Sequence, residues 1–465
     1  MLGLYLDRNS ALSLPQQITR EIRDRLLKGR LERGEILPPS RLLARELGVA
    51  RNVVVQAYEQ LVAEGYLTSR VGSGTFVADL PVSRFGARAA PAASWARPAA
   101  TTKRAAISFN PGLPDLGRFP RLRWAKTLKE VCLEARADAF GYGPVEGERA
   151  LREALAAYLW RSKGIECRPE QLVIVSGAAQ GVDLLAHLWR DAGTALFEDP
   201  GYDHVCQIFE HNGLALSPIP ADRHGLRTEA LPVHGRCTCI YVVPSHQFPL
   251  GGILPIKRRL LLLEYARRKG ALILEDDYDS EFRYRGEPIQ SLRHLAPDLV
   301  VYLGTFSKIF SPGLRLAFMI VPDRLRERVF RLKEDLNLRT PPLEQLALAR
   351  FIEDRSLDRH VFKMKRIYQV KRRCLIEALN REFGDRVRIA GEDAGLHLLL
   401  ELPGRRFRQS DFPRLKERGV KVDWVEDYAR RKGRHRHQLV LGYGGLEPDQ
   451  IEVGVRRLRA AIDDL

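Results

Sequence analysis

Sulfur is scarce in this chain, with 6 cysteines and 3 methionines among 465 residues. Cys132, Cys167, Cys206, Cys237, Cys239 and Cys374 show neither a secreted disulfide framework nor the paired spacing of a zinc site, so reduced thiols in a cytoplasmic protein are expected. Cys237 and Cys239, two apart on a strand-like run, can face one side, but no nearby His or Cys completes a metal site and their expected role is structural. No uninterrupted apolar stretch is long enough to span a bilayer. The opening residues also lack the basic start and sustained apolar core of a signal peptide, so neither membrane association nor export is expected.

Acidic residues are the second shortage. There are 58 of them against 75 Lys and Arg, a formal net charge of +17. Residues 1–106 hold 16 basic against 9 acidic side chains, a net +7 that leaves +10 on the larger remainder. Charge is therefore denser toward the N-terminal part, which suits a phosphate-binding module. What is present in quantity is apolar surface, 45% of residues, enough for a large core; at this length two domains are expected.

From Pro15 onward Ile18, Ile22, Leu26 and Leu27 recur at helical spacing and predict a first amphipathic helix that stops at Lys28-Gly29. After Pro38-Pro39, Ser40 is placed to cap a short second helix, Ser40 to Leu47. Gly48-Val49-Ala50 makes a tight turn, and Arg51 to Glu64 a third helix with Val54, Ala57, Tyr58 and Leu61 turned inward. Two short β-prone runs around Gly72-Ser73-Gly74 then predict a wing. Helix, tight turn and helix is a geometry that reads a DNA groove.

The run Leu37-Pro38-Pro39-Ser40-Arg41-Leu42-Leu43-Ala44-Arg45-Glu46-Leu47-Gly48-Val49, with Arg51-Asn52-Val53, Ala57-Tyr58-Glu59-Gln60-Leu61 and Gly72-Ser73-Gly74-Thr75-Phe76, resembles the GntR-family winged helix. The resemblance implies that Arg41, Arg51 and Asn52 contact double-stranded DNA at the recognition helix and its approach. It also implies that Arg70, Gly72 and Gly74 bring the wing near the backbone or minor groove. Ala50 stands where that family usually has Ser, which removes a helix N-cap or phosphate contact of about 1 kcal/mol. The expected plan is a winged-helix domain over residues 10–78, an Ala/Pro/Arg-rich linker over 79–106 and a large domain over 107–465.

Beyond residue 106, apolar runs alternate with helical stretches: Leu172–Val175, Ala195–Phe197, Cys239–Val243, Ala271–Leu274, Val300–Leu303 and Ala317–Ile320. This pattern predicts an α/β fold with a mostly parallel central sheet and chemistry at the strand ends. A polar cluster follows five of these runs, and together they match the needs of a pyridoxal phosphate site. Lys308 is the amine for the Schiff base. Ser176, Gly177, Ala178, Ala179 and Gln180 open a helix toward the phosphate, assisted by Thr305, Ser307 and Arg315. Asp276 is chosen to hold the ring nitrogen protonated, with Glu275 and Asp277 adjacent to it; Tyr278 bonds the phenolic oxygen, and Tyr202 stacks on the ring.

These clusters, together with Phe109-Asn110-Pro111-Gly112-Leu113-Pro114-Asp115, Tyr142-Gly143 and Pro244-Ser245-His246-Gln247-Phe248-Pro249, resemble fold-type I aminotransferases, and the joined architecture resembles the MocR/PdxR-type regulators. The resemblance implies a homodimer in which Tyr142 reaches the partner subunit's phosphate, heads exchanged between subunits, and tandem operator half-sites. It implies a regulator that senses an amine, an amino acid or pyridoxal phosphate itself; the alternative is an active aminotransferase carrying an accessory DNA-binding head. Phe248 occupies the position where amino-acid aminotransferases place Asn, which leaves His246 or Gln247 to serve near the ring. The substrate-carboxylate arginine of those enzymes would fall near Val440, where there is none; Arg430, Arg431, Arg434 and Arg436 on the preceding loop are the candidate substitutes. His435 and His437 have no carboxylate or cysteine at ligand spacing, and no metal is expected.

Overall fold

A computed structural model describes residues 2–8, 10, 12–70, 74–79, 106–190, 192–286 and 289–465. Gly72 and nearly all of the 79–106 linker lie outside the described residues. The chain divides into two compact units, Met1–Thr101 and Thr102–Leu465.

The first unit contains α1 (Leu14–Leu27), α2 (Ser40–Leu47), α3 (Arg51–Ala63), β1 (Leu67–Arg70) and β2 (Gly74–Val77). Ile18, Ile22 and Leu26 of α1 meet Leu43 of α2 and Val54, Ala57, Tyr58 and Leu61 of α3 in one buried cluster, as the helical spacing predicts. Gly48 adopts φ 62 and stops α2 in a left-handed turn that few side chains tolerate. β1 and β2 pair antiparallel from Leu67↔Val77 to Arg70↔Gly74, and Ile36 bridges to Phe76 beside them. Ser40 does not cap α2: it is the first helical residue, Pro39 is the N-cap, and the Ser40 hydroxyl accepts from Arg51 Nε at 3.4 Å.

The second unit runs β3 (Ile107–Ser108), α4 (Arg121–Glu134), α5 (Arg149–Lys163), β4 (Leu172–Val175), α6 (Ala178–Leu188), β5 (Thr194–Asp199), α7 (Asp203–His211), β6 (Ala215–Asp222), β7 (Gly225–Leu226), β8 (Cys237–Val242), α8 (Ile256–Lys269), β9 (Leu272–Asp277), α9 (Leu292–Leu295), β10 (Val300–Thr305) and β11 (Ala317–Ile320). It continues through α10 (Asp323–Asp335), α11 (Pro342–Glu353), α12 (Ser356–Phe383), β12 (Arg388–Ala390), β13 (His397–Glu401), α13 (Asp411–Glu417), β14 (Val420–Lys421), β15 (Asp423–Trp424), β16 (Gln438–Gly442) and α14 (Pro448–Asp463).

Eight strands form the central sheet in the order β4-β11-β10-β9-β8-β5-β6-β7. The β10-β9-β8-β5-β6 pairings are parallel, whereas β11 runs antiparallel to both β10 and β4. β4, β8, β9, β10 and β11 are buried almost throughout because helices cover both faces, which is why they read as continuous apolar runs. One face packs under α6, α7 and α10 through Val182, Leu185, Phe209 and Val329; across β5, β8 and β9 the other lies under α8 and α9 through Leu262, Ala266 and Leu292. β6 was not expected, because Pro218 and Pro220 break its pattern. The two prolines are two residues apart, so their missing N–H groups lie on the same edge of the strand and spare the pairing with β5. A second, antiparallel sheet, β12-β13-β16-β15, carries the C-terminal part, and β3 pairs parallel with β14.

Candidate functional site

The parallel strands deliver their C-terminal ends to one edge of the sheet, and the antiparallel β11 brings Arg315, two residues before its start, to the same edge. A cavity of about 470 Å³ opens there, lined among others by Ala178, Tyr202, Asp276, Tyr278, Lys308 and Arg315.

Strand alternation decides which acid enters it. On β9 successive side chains point to opposite faces, so Glu275 and Asp277 share one side and Asp276 takes the other. Glu275 accepts from the N–H groups of Leu292 (2.9 Å) and Arg293 (2.8 Å) at the start of α9, and Asp277 pairs with Lys163 Nζ at 2.8 Å. Asp276 lines the cavity. Its Oδ2 accepts from Tyr241 OH at 2.5 Å, while its buried Oδ1 has no partner. Burial pushes this carboxyl up to about 7, against the opposing Tyr241 hydrogen bond.

Lys308 donates from Nζ to the Gly112 carbonyl. Burial lowers its pKa, with Asp279 and Asp276 pulling the other way, so the neutral amine is more accessible than on an exposed lysine. Arg315 adopts φ 52 and approaches Gly177 so closely that a Cβ there would lie 2.6 Å from Arg315 Nη2; Gly177 itself is at φ +125. Only glycine fits. Ala178 and Ala179 follow at the start of α6, where the first backbone N–H groups of a helix lack partners within it. Thr305 Oγ1 donates to Ser307 Oγ at 3.0 Å and accepts from Ser307 N–H at 3.1 Å, placing both hydroxyls at the same end.

Four of the residues chosen from sequence, Ser176, Gln180, His246 and Gln247, are placed differently. Gln180 turns its side-chain oxygen back to the Ser176 N–H at 2.8 Å, so this pair closes the loop rather than lining the cavity. His246 is buried behind Tyr278: its Nδ1 lies 3.0 Å from Asp279 Oδ2, and its carbonyl accepts from Tyr278 OH at 3.0 Å. Gln247 donates to Pro200 O on the segment after β5 and accepts from the Leu250 N–H of its own loop, and Phe248 lines the cavity instead. His246 also packs against His397, ring centroids 4.5 Å apart with 36° between planes. The His246, Asp279 and His397 donor atoms lie within 4.8 Å of one another. Tyr142 is 82% exposed and does not line the cavity of its own chain.

In the first unit, Arg41, Arg51, Asn52, Arg70 and Gly74 are all exposed. Arg41 lies in the first turn of α2, and Arg51 and Asn52 in the first turn of α3; Arg70 ends β1 with its guanidinium 5.5 Å from the Phe76 ring centroid. Ala50 is the N-cap of α3, in extended conformation and with no side-chain cap bond.

Comparison with known proteins covers both units. The family of class I and II aminotransferases matches residues 107–428, and the gntR family of bacterial regulatory proteins matches residues 14–77. The chain is 35% identical to the probable rhizopine catabolism regulatory protein MocR of Rhizobium meliloti, over 98% of this chain and 95% of that one. It is 32% identical to the pyridoxine biosynthesis transcriptional regulator PdxR of Corynebacterium glutamicum, over 97% and 96%. The chain belongs to the MocR/PdxR-type transcriptional regulators. Its second unit is similar to LysN, the α-aminoadipate aminotransferase of Thermus thermophilus solved with N-(5′-phosphopyridoxyl)-L-leucine, with TM-score 0.71, 30% identity and coverage of 77% of this chain and 92% of that one.

Pyridoxal 5′-phosphate is the cofactor of this aminotransferase fold, and the cavity of this MocR/PdxR-type regulator fits it. The unpartnered Asp276 Oδ1 is the acceptor that a protonated ring nitrogen requires, and the Gly177-Arg315 cradle with the start of α6 suits a phosphate dianion. The sequence reading did not assign Tyr241, His204, Asn110, Asp423 or Tyr428 to the site, yet all of them line the cavity. Tyr241 is a hydroxyl inside an apolar strand, a signal legible in the sequence; Asp423 and Tyr428 arrive from the second sheet and have no such signature. Among the loop arginines, Arg430 is held by Asp203 and Glu210 at 3.0 Å each, and none of the four lines the cavity. Cys237 and Cys239 are both buried in β8, with the Cys237 thiol pushed up to about 11 by burial.

Proposed function

We propose that this regulator binds pyridoxal phosphate on Lys308 and couples occupancy of the adjoining cavity by an amine, an amino acid or the cofactor itself to its hold on operator DNA. The observation that carries this reading is the unpartnered Asp276 oxygen beside Lys308, in a chain whose first unit exposes Arg41, Arg51 and Asn52 at two helix N-termini.

When bound, the cofactor supplies an aldehyde for primary amines and an electron-withdrawing ring. Lys308 presents the amine that anchors it. Asp276, steadied by Tyr241, keeps the proton on the ring nitrogen, and Tyr278 offers its hydroxyl to the phenolic oxygen. Arg315, Thr305, Ser307 and the start of α6 hold the phosphate, while Tyr202 covers the ring. Ser176, Gln180 and His246 act as supports behind these groups.

The functional unit in this reading is a cytoplasmic homodimer. Tyr142, exposed in each chain, reaches the partner subunit's phosphate, and the heads, exchanged between subunits, engage tandem half-sites. A ligand transmits a signal only through different affinities for two dimer conformations.

A band-shift assay with DNA upstream of the protein's own gene and its neighbours, at moderate salt, tests the reading. Specific binding that changes with an amine or amino acid is expected. Sustained transamination with a 2-oxo acid, and no specific DNA binding, would instead mark an aminotransferase with an accessory head.

A further inference from the structure

The cavity is asymmetric in charge. Its Lys and Arg side chains are Lys308, bonded to the Gly112 carbonyl, and Arg315, packed on Gly177. Both are used by the cofactor in the reading above, on which this inference rests. The remaining charged side chain besides Asp276 is Asp423, whose Oδ2 accepts from Tyr428 OH at 2.6 Å and which has no cationic partner among the described residues. His204, the one imidazole among the described residues lining the cavity, lies beside Tyr202 with ring centroids 6.0 Å apart.

Among the described residues lining the cavity, no arginine or lysine other than Lys308 and Arg315 is present to clamp an anion near Asp423. In the β15-β16 register Asp423 faces Val440, which is buried among Leu250, Leu399 and Val425. The loop arginine nearest in sequence to that wall, Arg430, is already paired with Asp203 and Glu210. The wall itself is aromatic: Phe248 contacts Tyr428 edge-on at 4.8 Å and Tyr202 at 6.3 Å. A carboxylate and aromatic faces in a partly desolvated site favour a cation and disfavour a second carboxylate.

We infer that the ligand of this cavity is a primary amine bearing a second cationic group and no carboxylate, a diamine in the simplest case, and that Asp423 is the residue that reads the distal cation. One amine meets the cofactor end beside Lys308; the other lies against Asp423 and the Phe248-Tyr428 wall.

Isothermal titration calorimetry of the full-length, cofactor-loaded protein tests this with short α,ω-diamines against ω-amino acids of matching length, beginning with 1,4-diaminobutane and 4-aminobutyrate. Diamines are expected to bind at least roughly tenfold more tightly. Asp423→Asn is expected to remove that preference, and Asp423→Arg to reverse it. Cofactor absorbance and circular dichroism establish that each variant is folded. Tighter binding of the ω-amino acids to the wild type, no binding across the diamine series, or an Asp423→Asn variant with unchanged preference overturns the inference. Operator affinity measured in the same samples separates the two readings. Diamine binding without any effect on DNA leaves the pocket chemistry standing and removes the sensor; a DNA response to amino acids alone does the reverse.

Discussion

Asp276 and its neighbours show how one chemical group, the carboxylate, serves three purposes within three positions. Glu275 satisfies the start of α9, Asp277 neutralises Lys163, and Asp276 keeps a bare oxygen in the cavity. In the folded, cofactor-free protein the Asp276 carboxyl holds its proton up to about pH 7, against 3.8 for an ordinary aspartate. The unfolded chain therefore loses this proton first, and the contribution of Asp276 to stability falls as pH rises through that window. Cofactor-free Asp276→Asn is expected to exceed the wild type in stability by on the order of 2–4 kcal/mol near pH 8. The difference should vanish near pH 4, as checked by urea unfolding at both pH values, and the same variant should bind the cofactor more weakly. In the head, Arg51→Ala is expected to weaken specific DNA binding by about 1–3 kcal/mol if its guanidinium reads a base. Titration against an operator and a scrambled duplex measures it.

At the scale of elements, α3 begins without a cap. Ala50 already has the extended geometry of an N-cap and lacks only the hydroxyl. Ala50→Ser is expected to stabilise the head by about 1 kcal/mol, seen as a rise in its calorimetric transition. Gly442, at the end of β16, supports the cofactor site from behind, because a Cβ there would lie 2.1 Å from the Asn110 carbonyl oxygen. That contact sets the segment whose Gly112 carbonyl receives Lys308. Gly442→Ala is expected to cost about 1–3 kcal/mol through overpacking. It should also loosen cofactor retention during dialysis. Elements with a local signature were legible: β4 and β10 as unbroken apolar runs, α1 to α3 by their periodicity. β6 was hidden because its two prolines read as breaks, and only its place beside β5 explains how they are accommodated.

At the scale of the whole molecule, the two units have separate cores, one built by α1 to α3 with the hairpin and the other by the central sheet with its flanking helices. Separate cores predict separable losses. Lys308→Ala is expected to abolish the borohydride-stable attachment of cofactor, read by mass spectrometry, while specific DNA contacts made by the head persist in a band shift. Loss of both would mean that Lys308 supports folding.

The sequence by itself determined the two-unit plan, the mostly parallel sheet and the family, because each rests on neighbours within a strand, a turn or a helix. Tertiary structure decided which side chains face the cavity. Strand alternation on β9 separated Asp276 from the acids on either side, and burial behind Tyr278 withdrew His246 from the cavity. The second sheet brought Asp423 and Tyr428 to Lys308 from more than a hundred residues away. Such encounters depend on how whole layers pack, and distant packing leaves no periodic trace in the chain for a sequence reading to follow.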